Sequence, residues 1–155
     1  INAFIPATWI SHREEKLAAY KSATECSSNE ELYELANDWT NRYGTMPKPV
    51  ESLVLLMKLK LLAKTCGFNK IKLIKPNIVI ETRIKKSTFT ILKNSLPNSA
   101  QNKFNFEEGD QFSKIIIRGL GVTETQNQID QLTLWFSLFV NEISNFEKEP
   151  LLIKN

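Results

Sequence analysis

The second of three apolar segments at the start of the chain has the clearest helical pattern. Between Ser28 and Gly44, apolar residues follow the spacing of one helix face, at Leu32, Leu35, Ala36, Trp39 and Tyr43. Ser28 and Glu31 form a capping box, in which both side chains satisfy free backbone N–H groups of the first turn. Gly44 can adopt a positive φ and end the helix. The pattern predicts a helix over residues 28–43 with one buried face.

Two further helices are predicted on either side of this one. Ser11 and Glu14 repeat the capping-box spacing, which predicts a helix from there to about residue 24. Its expected buried positions are Leu17, Ala18, Ala19 and Tyr20. Pro49 is well placed as the first residue of a third helix, because proline at that position forfeits no helical hydrogen bond. Gly67 predicts the end of this helix, whose apolar stripe comprises Val50, Leu53, Val54, Met57, Leu61 and Leu62.

After Gly67 the pattern changes to the alternation of β-strands. Residues 70–73 and 78–82 predict two strands joined by the turn Lys75-Pro76-Asn77. A short helix is expected near residues 87–94, and residues 96–102 are expected to be a polar loop. Residues 104–106 and 115–117 predict a second hairpin.

A long helix is predicted to close the chain. The spacing from Thr123 to Gln126 is again that of a capping box. The inner face of this helix is expected to hold Ile129, Leu132, Trp135, Phe136, Phe139, Ile143 and Phe146. The predicted fold class is therefore α+β, with N-terminal helices packed with a small antiparallel sheet and a long C-terminal helix. A single domain is expected over residues 1–146, followed by a tail over residues 147–155.

The residues that carry most enzyme chemistry are scarce in these 155 residues. One histidine, His12, and two distant cysteines, Cys26 and Cys66, cannot supply the four ligands of a structural zinc site. The cysteines are expected to be free thiols. No glycine-rich phosphate loop and no serine nucleophile motif occurs. We predict no catalytic, metal or cofactor site, which favours a binding or regulatory module over an enzyme.

Positive charge is concentrated in the middle of the chain. Residues 58–103 contain eleven basic side chains and one acidic side chain, Glu81, whereas the flanking segments are both acidic overall. A basic segment can follow a phosphate backbone, so a nucleic-acid-binding module is the alternative functional hypothesis. The candidate basic surface comprises Lys58, Lys60, Lys64, Lys70, Lys72 and Lys75. The competing interpretation is that these lysines are the solvated faces of a helix and two strands.

Three motifs resemble the C-terminal (TRCF) domain of bacterial transcription-repair coupling factors. The first is Ala3-Phe4-Ile5-Pro6, followed by Arg13, Leu17 and Tyr20-Lys21. The second is the run from Asn37 to Gly44, continued by Met46-Pro47-Lys48-Pro49-Val50-Glu51. The third combines Leu59 and Leu61-Leu62-Ala63 with Gly67-Phe68-Asn69-Lys70-Ile71. The resemblance extends from residue 1 to about residue 146 and is strongest over residues 4–82.

The resemblance implies a piece of a multidomain, ATP-dependent DNA translocase of the bacterial cytoplasm. Such a parent displaces stalled RNA polymerase from double-stranded DNA and recruits UvrA for nucleotide excision repair. Its ATP and Mg²⁺ belong to motor domains outside this chain. The domain itself is implied to be non-catalytic: it docks on the UvrB-like N-terminal module, competes with UvrA for that surface, and restrains the motor.

The resemblance also assigns roles to individual residues. Interdomain contacts fall on Asp38, Asn41 and Arg42. Asn41 departs from the family, which usually has aspartate at this position, so one charge-assisted contact is lost here. A structural role in the turn after this helix falls on Tyr43, Gly44, Pro47 and Pro49.

Overall fold

The structure, a computed structural model, describes residues 2–153 and the side chains of residues 2–147. Its elements, in chain order, are α1 (Arg13–Glu25), α2 (Asn29–Tyr43), α3 (Lys48–Cys66), β1 (Phe68–Ile74), β2 (Asn77–Thr82), α4 (Lys86–Asn94), α5 (Asn98–Gln101), β3 (Phe104–Glu107), β4 (Ser113–Ile117), a 3-10 turn (Leu120–Val122) and α6 (Thr125–Ile153). The predicted α+β fold, with a small antiparallel sheet and a long C-terminal helix, is confirmed. The chain divides into two compact units, Ile1–Leu61 and Leu62–Asn155.

The first unit is built around one apolar cluster. It comprises Ile5, Ile10, Ala19, Ala23, Trp39, Val50 and Leu53. The predicted cap of α2 is confirmed: the Ser28 hydroxyl accepts from the Glu31 N–H at 3.1 Å. The Glu31 carboxylate reaches further back than in the usual box and accepts from the Ser27 N–H at 2.8 Å. Both serines before α2 therefore help to fix where the helix begins.

Helix α1 differs from its prediction in its cap and in its buried face. Its N-cap is His12, which makes no side-chain capping bond, so the expected capping box at Ser11 is wrong. The buried residues are Ala19 and Ala23, whereas Ala18 is exposed and Leu17 is 57% exposed. Small side chains four residues apart allow a helix to approach its neighbours closely, and this outweighs the greater hydrophobicity of leucine.

Helix α3 begins one residue earlier than predicted. The Pro47 carbonyl accepts from the N–H groups of Val50 (3.0 Å) and Glu51 (3.2 Å), so Pro49 is the second helical residue. Gly67 follows the last residue of α3, as the sequence predicts, and has a φ of 81°. A backbone N–H is not needed in the first turn of a helix, which is why proline is tolerated at either position.

The second unit contains a four-stranded antiparallel sheet in the order β1-β2-β4-β3. Both predicted hairpins are confirmed. On the inner face, Ile80 pairs with Ile115, and Ile78 pairs with Ile117, all of them buried. Aromatic side chains of α6 cover this face, with 5.2 Å between the ring centres of Phe104 and Trp135. The core of this unit is thus an aromatic layer between the sheet and one long helix.

Three predictions for the second unit are wrong. Residues 98–101 form the short helix α5, where a polar loop was expected, because Leu96 and Ala100 are buried. Thr123 does not cap α6: its hydroxyl donates to the Leu120 carbonyl at 2.8 Å, and α6 begins at Thr125. Phe146 is 50% exposed and lies outside the core.

The boundary expected at residue 146 falls within α6, which is continuous to Ile153. The predicted tail over residues 147–155 lies partly outside the described residues, because the structure does not describe residues 154 and 155. The division into a domain and a tail at this point stays a prediction.

Candidate protein-docking site

The site implied by the family resemblance lies at the C-terminal half of α2. Asp38 and Arg42 are one helical turn apart, and an oxygen of the Asp38 carboxylate lies 3.6 Å from Nη1 of Arg42. The two side chains are 55% and 58% exposed. Solvent screens an ion pair this exposed, so it contributes little to folding. It places two opposite charges side by side at the surface.

Arg42 makes a second contact, with the aromatic ring of the next residue, Tyr43. Its guanidinium carbon lies 5.3 Å from the centre of the Tyr43 ring, which is a cation–π distance. The Tyr43 hydroxyl donates to a Glu15 carboxylate oxygen on α1 at 3.1 Å. The same ring packs at 5.5 Å from the Trp9 ring, which contacts Trp39 edge-on. Arg42 therefore rests on an aromatic stack that reaches the core of the first unit.

The electrostatics of Tyr43 follow from this packing. Partial burial raises the pKa of the Tyr43 hydroxyl above its ordinary value, and the hydrogen bond to Glu15 raises it further. The Arg42 charge acts in the opposite direction but does not reverse the shift. Tyr43 is therefore a neutral hydrogen-bond donor at physiological pH.

Asn41 lies beside this pair with its side chain exposed. Within the described part of the chain, its amide has neither a hydrogen bond nor an ion pair. A free amide offers both a donor and an acceptor to a partner. The structure thus places the three implied contact residues on neighbouring turns of one helix, all accessible.

The turn after α2 fixes where this helix ends. Gly44 has φ 89° and ψ −168°, a backbone conformation that essentially only glycine adopts, and its N–H donates to the Thr40 carbonyl at 2.9 Å. The Pro47 carbonyl starts α3, and the Pro49 carbonyl accepts from the Phe4 N–H at 3.2 Å. These residues tie the entry segment, α2 and α3 together.

The six candidate lysines are divided between the two compact units. Lys58 and Lys60 belong to the first unit, and the other four belong to the second. In the sheet, the Lys72 ammonium lies 2.7 Å from a Glu81 carboxylate oxygen. Strand register also sets Lys70 opposite Glu81, Glu81 opposite Lys114, and Lys114 opposite Glu107. Charges of alternating sign therefore cross all four strands.

The alternating charges across the sheet shift the pKa of one side chain, Glu81. The hydrogen bond from Lys72 lowers the pKa of the Glu81 carboxyl below its ordinary value and outweighs the opposite effect of burial. The charges of Lys72, Lys70 and Lys114 lower the pKa further. Part of the basic surplus that the sequence shows is thus compensated within the sheet.

An open groove between α2 and α3 was not predicted from the sequence. It encloses about 610 Å³, and its lining includes Glu30, Tyr33, Glu34, Val54, Leu55 and Lys58. Glu30, Glu34, Asp38 and Arg42 follow one another at intervals of four residues, which places them in one row along α2. That spacing is visible in the sequence, but the groove beside it is not, because the groove depends on how α2 and α3 pack.

The two cysteines are free thiols, and they differ in environment. Burial raises the pKa of the Cys66 thiol to about 12, and its sulfur donates to the Phe136 carbonyl at 3.8 Å. Burial raises the pKa of Cys26 less, with a further contribution from the Glu31 charge. Among the described residues, His, Cys, Asp and Glu form no group of three suited to a metal ion. No helix over residues 2–153 is long and apolar enough to cross a membrane.

Comparison with known proteins decides the family. The sequence profile of the TRCF domain matches residues 1–91, more than half of the chain. The chain belongs to the TRCF domain family. The profile match includes α2, the turn at Gly44, α3 and the first hairpin, so the implied contact residues of the TRCF domain all lie within it.

The curated relatives that match this TRCF domain are transcription-repair-coupling factors. The transcription-repair-coupling factor of Borreliella burgdorferi is 30% identical over 71 residues, which are 46% of this chain and 6% of that protein. That of Bacillus subtilis is 27% identical over 122 residues, 79% of this chain and 9% of that protein. That of Mycobacterium tuberculosis is 26% identical over 101 residues, 65% of this chain and 7% of that protein. The chain spans less than a tenth of the length of these relatives.

A solved structure shares the whole fold. The crystal structure of a C-terminal domain of transcription-repair coupling factor superposes with a TM-score of 0.74 at 15% identity. The match covers 92% of this chain and 89% of that chain. The TRCF fold therefore continues through the sheet and into α6, beyond the segment that the sequence profile covers.

Proposed function

We propose that this TRCF domain is a regulatory, non-catalytic docking module of a transcription-repair coupling factor. It binds the UvrB-like N-terminal module of the polypeptide to which it belongs. Bound there, it masks the surface that UvrA uses and restrains the motor until RNA polymerase is engaged. Release of the docked domain then exposes the masked surface, which is a population shift between two arrangements.

The parent protein follows from the same proposal. It is an ATP-dependent DNA translocase of the bacterial cytoplasm that displaces stalled RNA polymerase and recruits UvrA to damaged DNA. Its ATP and Mg²⁺ bind in motor domains outside this chain. Family membership and the names of the relatives support this assignment.

The observation that supports docking is the double restraint on Arg42. An exposed arginine normally samples many rotamers, and ordering it on binding is unfavourable. Here the Asp38 carboxylate at 3.6 Å and the Tyr43 ring at 5.3 Å both contact it and restrict its rotamers before any partner arrives. Arginine is also a frequent hot-spot residue at protein interfaces. A preorganised, accessible arginine beside a free amide is well suited to bind a protein surface.

The test is a binding titration of this chain against the UvrB-like module of its parent. Tethering in one polypeptide supplies an effective concentration on the order of millimolar, so the contact in trans is expected to be weak and the titration must reach high micromolar. Arg42→Glu is expected to abolish binding, and Arg13→Glu, the same change at an exposed site on α1, is expected to leave it intact. UvrA is expected to compete with the wild-type chain.

The result that would overturn docking is the absence of saturable binding at the highest concentration. The nucleic-acid alternative is measured alongside, by titrating duplex DNA at several salt concentrations. Binding to phosphates weakens steeply with salt. Salt-sensitive DNA binding without module binding would favour the basic segment over α2 as the functional surface.

A further inference from the structure

The groove between α2 and α3 combines an apolar floor with an exposed aromatic side chain. Leu32 is buried at its base, and Val54 and Leu55 are half-buried beside it. Tyr33 is 68% exposed at the groove. Its volume of about 610 Å³ lies within the roughly 300–1,000 Å³ range of binding pockets, but it is open along its length. An open apolar groove suits an extended or helical segment of a protein better than a small ligand.

Acidic side chains follow one wall of this groove. Glu30 and Glu34 lie on it, and Asp38 continues their row one turn further along α2. Carboxylates four residues apart on a helix repel each other. Glu30 is favoured by its position in the first turn, and Asp38 is paired with Arg42. Glu34 lies between two carboxylates and, among the described residues, forms no ion pair.

Among the described residues, the remaining charges of the groove form no ion pair with Glu34. Glu51, on α3, lies 3.9 Å from Lys48 and is compensated there. Lys58 lines the groove from α3, but its ammonium lies within 4.0 Å of none of the described carboxylates. Glu34 thus lies between two carboxylates and without an ion pair, beside an exposed apolar groove, an arrangement that does not favour the folded helix. Local features that do not favour folding concentrate at functional sites.

Resting on the proposed function, we infer that the docking surface of α2 continues from Arg42 through Glu34 into this groove. The occupant is a segment of the docked partner module that presents a lysine or arginine to Glu34 and Glu30. An adjacent apolar side chain of the same segment packs on Val54 and Leu55 beside Tyr33. Charge complementarity identifies the class of segment: the cation supplies the partner that Glu34 lacks.

Two surface variants test this inference against the same module. Glu34→Lys replaces the repulsion along α2 by attraction to Glu30 and Asp38, so the domain is expected to melt no lower than wild type. Its affinity for the module is nevertheless expected to fall by about tenfold or more, because the new charge repels the incoming cation. Tyr33→Ala removes an exposed ring and is expected to weaken binding about fivefold or more.

Matched controls make comparable changes on α6, at residues that do not line the groove. Glu147→Lys reverses an exposed glutamate on α6, and Phe146→Ala removes an exposed ring on the same helix. Both are expected to bind like wild type. Amide NMR of the labelled chain gives an independent readout: addition of the module is expected to shift the signals of Leu32, Val54 and Leu55.

The possible results separate this inference from the proposed function. Binding that is lost in Arg42→Glu but unchanged in Glu34→Lys and Tyr33→Ala would overturn the groove and leave docking intact. No binding of the wild-type chain would overturn both. Concentration-dependent dimerisation that Glu34→Lys abolishes, without an effect on module binding, would assign the groove to a second copy of the chain and overturn the inference.

Discussion

Arg42 and Tyr43 are neighbours in the chain whose side chains stack on each other, with the guanidinium carbon 5.3 Å from the ring centre. Consecutive residues of a helix point about 100° apart, so they do not ordinarily touch. The contact forms here because Tyr43 ends α2 and turns towards Glu15 on α1, to which its hydroxyl donates at 3.1 Å. An anchor in α1 thus positions a cation at the end of α2.

The Tyr43 phenol is expected to lose its proton at a higher pH than an exposed tyrosine does. Its folded-state pKa is raised above the ordinary value of 10.0, so its contribution to stability is complete below that pH and is lost as pH rises through the folded-state pKa. Denaturant unfolding measured between neutral pH and strongly alkaline pH should show this loss. Tyr43→Phe should lack that component, and Tyr33→Phe, at an exposed tyrosine, should keep it. An identical alkaline loss in Tyr43→Phe would contradict the assignment.

Gly44 is expected to tolerate no side chain without strain. Nothing lies within 4 Å of a Cβ built at this position, so the strain comes from the backbone conformation alone. Gly44→Ala and Gly44→Val should each lower the free energy of unfolding by about 1–3 kcal/mol. Thr45→Ala, at the next exposed position, is the control and should change it little. An unchanged melting temperature in both Gly44 variants would refute this role.

The Glu81 carboxyl is expected to report on the ladder of charges across the sheet. Its folded-state pKa is lowered, so its contribution to stability is present above its ordinary value of 4.5 and is lost as pH falls through the folded-state pKa. Carboxyl NMR should show Glu81 titrating below ordinary glutamates, and Lys72→Met should move its pKa upward. Lys60→Met, on α3, should not move it. A Glu81 titration that ignores Lys72→Met would rule out this coupling.

Two phenylalanines of α6 are expected to differ sharply in their importance for stability. Phe136 is fully buried, and its ring centre lies 5.0 Å from that of Phe68. Phe136→Ala should lower the free energy of unfolding by about 3–5 kcal/mol, because it leaves a cavity in the aromatic layer. Phe146→Ala, at a half-exposed ring, should change it by less than about 0.5 kcal/mol. Comparable losses in the two variants would place Phe146 in the core.

The elements with strong local signals could be predicted from the sequence. Helix α2 has a complete apolar stripe and a serine cap, and each hairpin pairs a strand of alternating apolar residues, β1 or β3, with a strand of consecutive apolar residues, β2 or β4. The capping-box spacings at Ser11 and Thr123 were misleading, because each helix begins one residue later than the spacing requires: α1 begins at Arg13 and α6 at Thr125. The buried face of α1 depended on Ala19 and Ala23, whose small size matters only against neighbouring helices.

The candidate site shows the same division between local and distant contacts. The pairing of Asp38 with Arg42 follows from their spacing of four residues on a helix. The hydrogen bond from Tyr43 to Glu15 joins residues 28 positions apart, and no periodicity encodes it. The groove depends on how α2 and α3 pack, so the row of charges at Glu30, Glu34 and Asp38 gains its meaning only from the fold.

The two cysteines differ enough in burial that a thiol reagent can label one of them selectively. Cys66 is buried with a pKa of about 12, so almost none of it is thiolate at neutral pH, and the thiolate is the form that attacks a maleimide. Cys26 is only partly buried and follows the last residue of α1, in the same compact unit as α2. A fluorophore added to the unmodified sequence will therefore attach first at Cys26, which places the label in the same compact unit as α2 without any engineered cysteine.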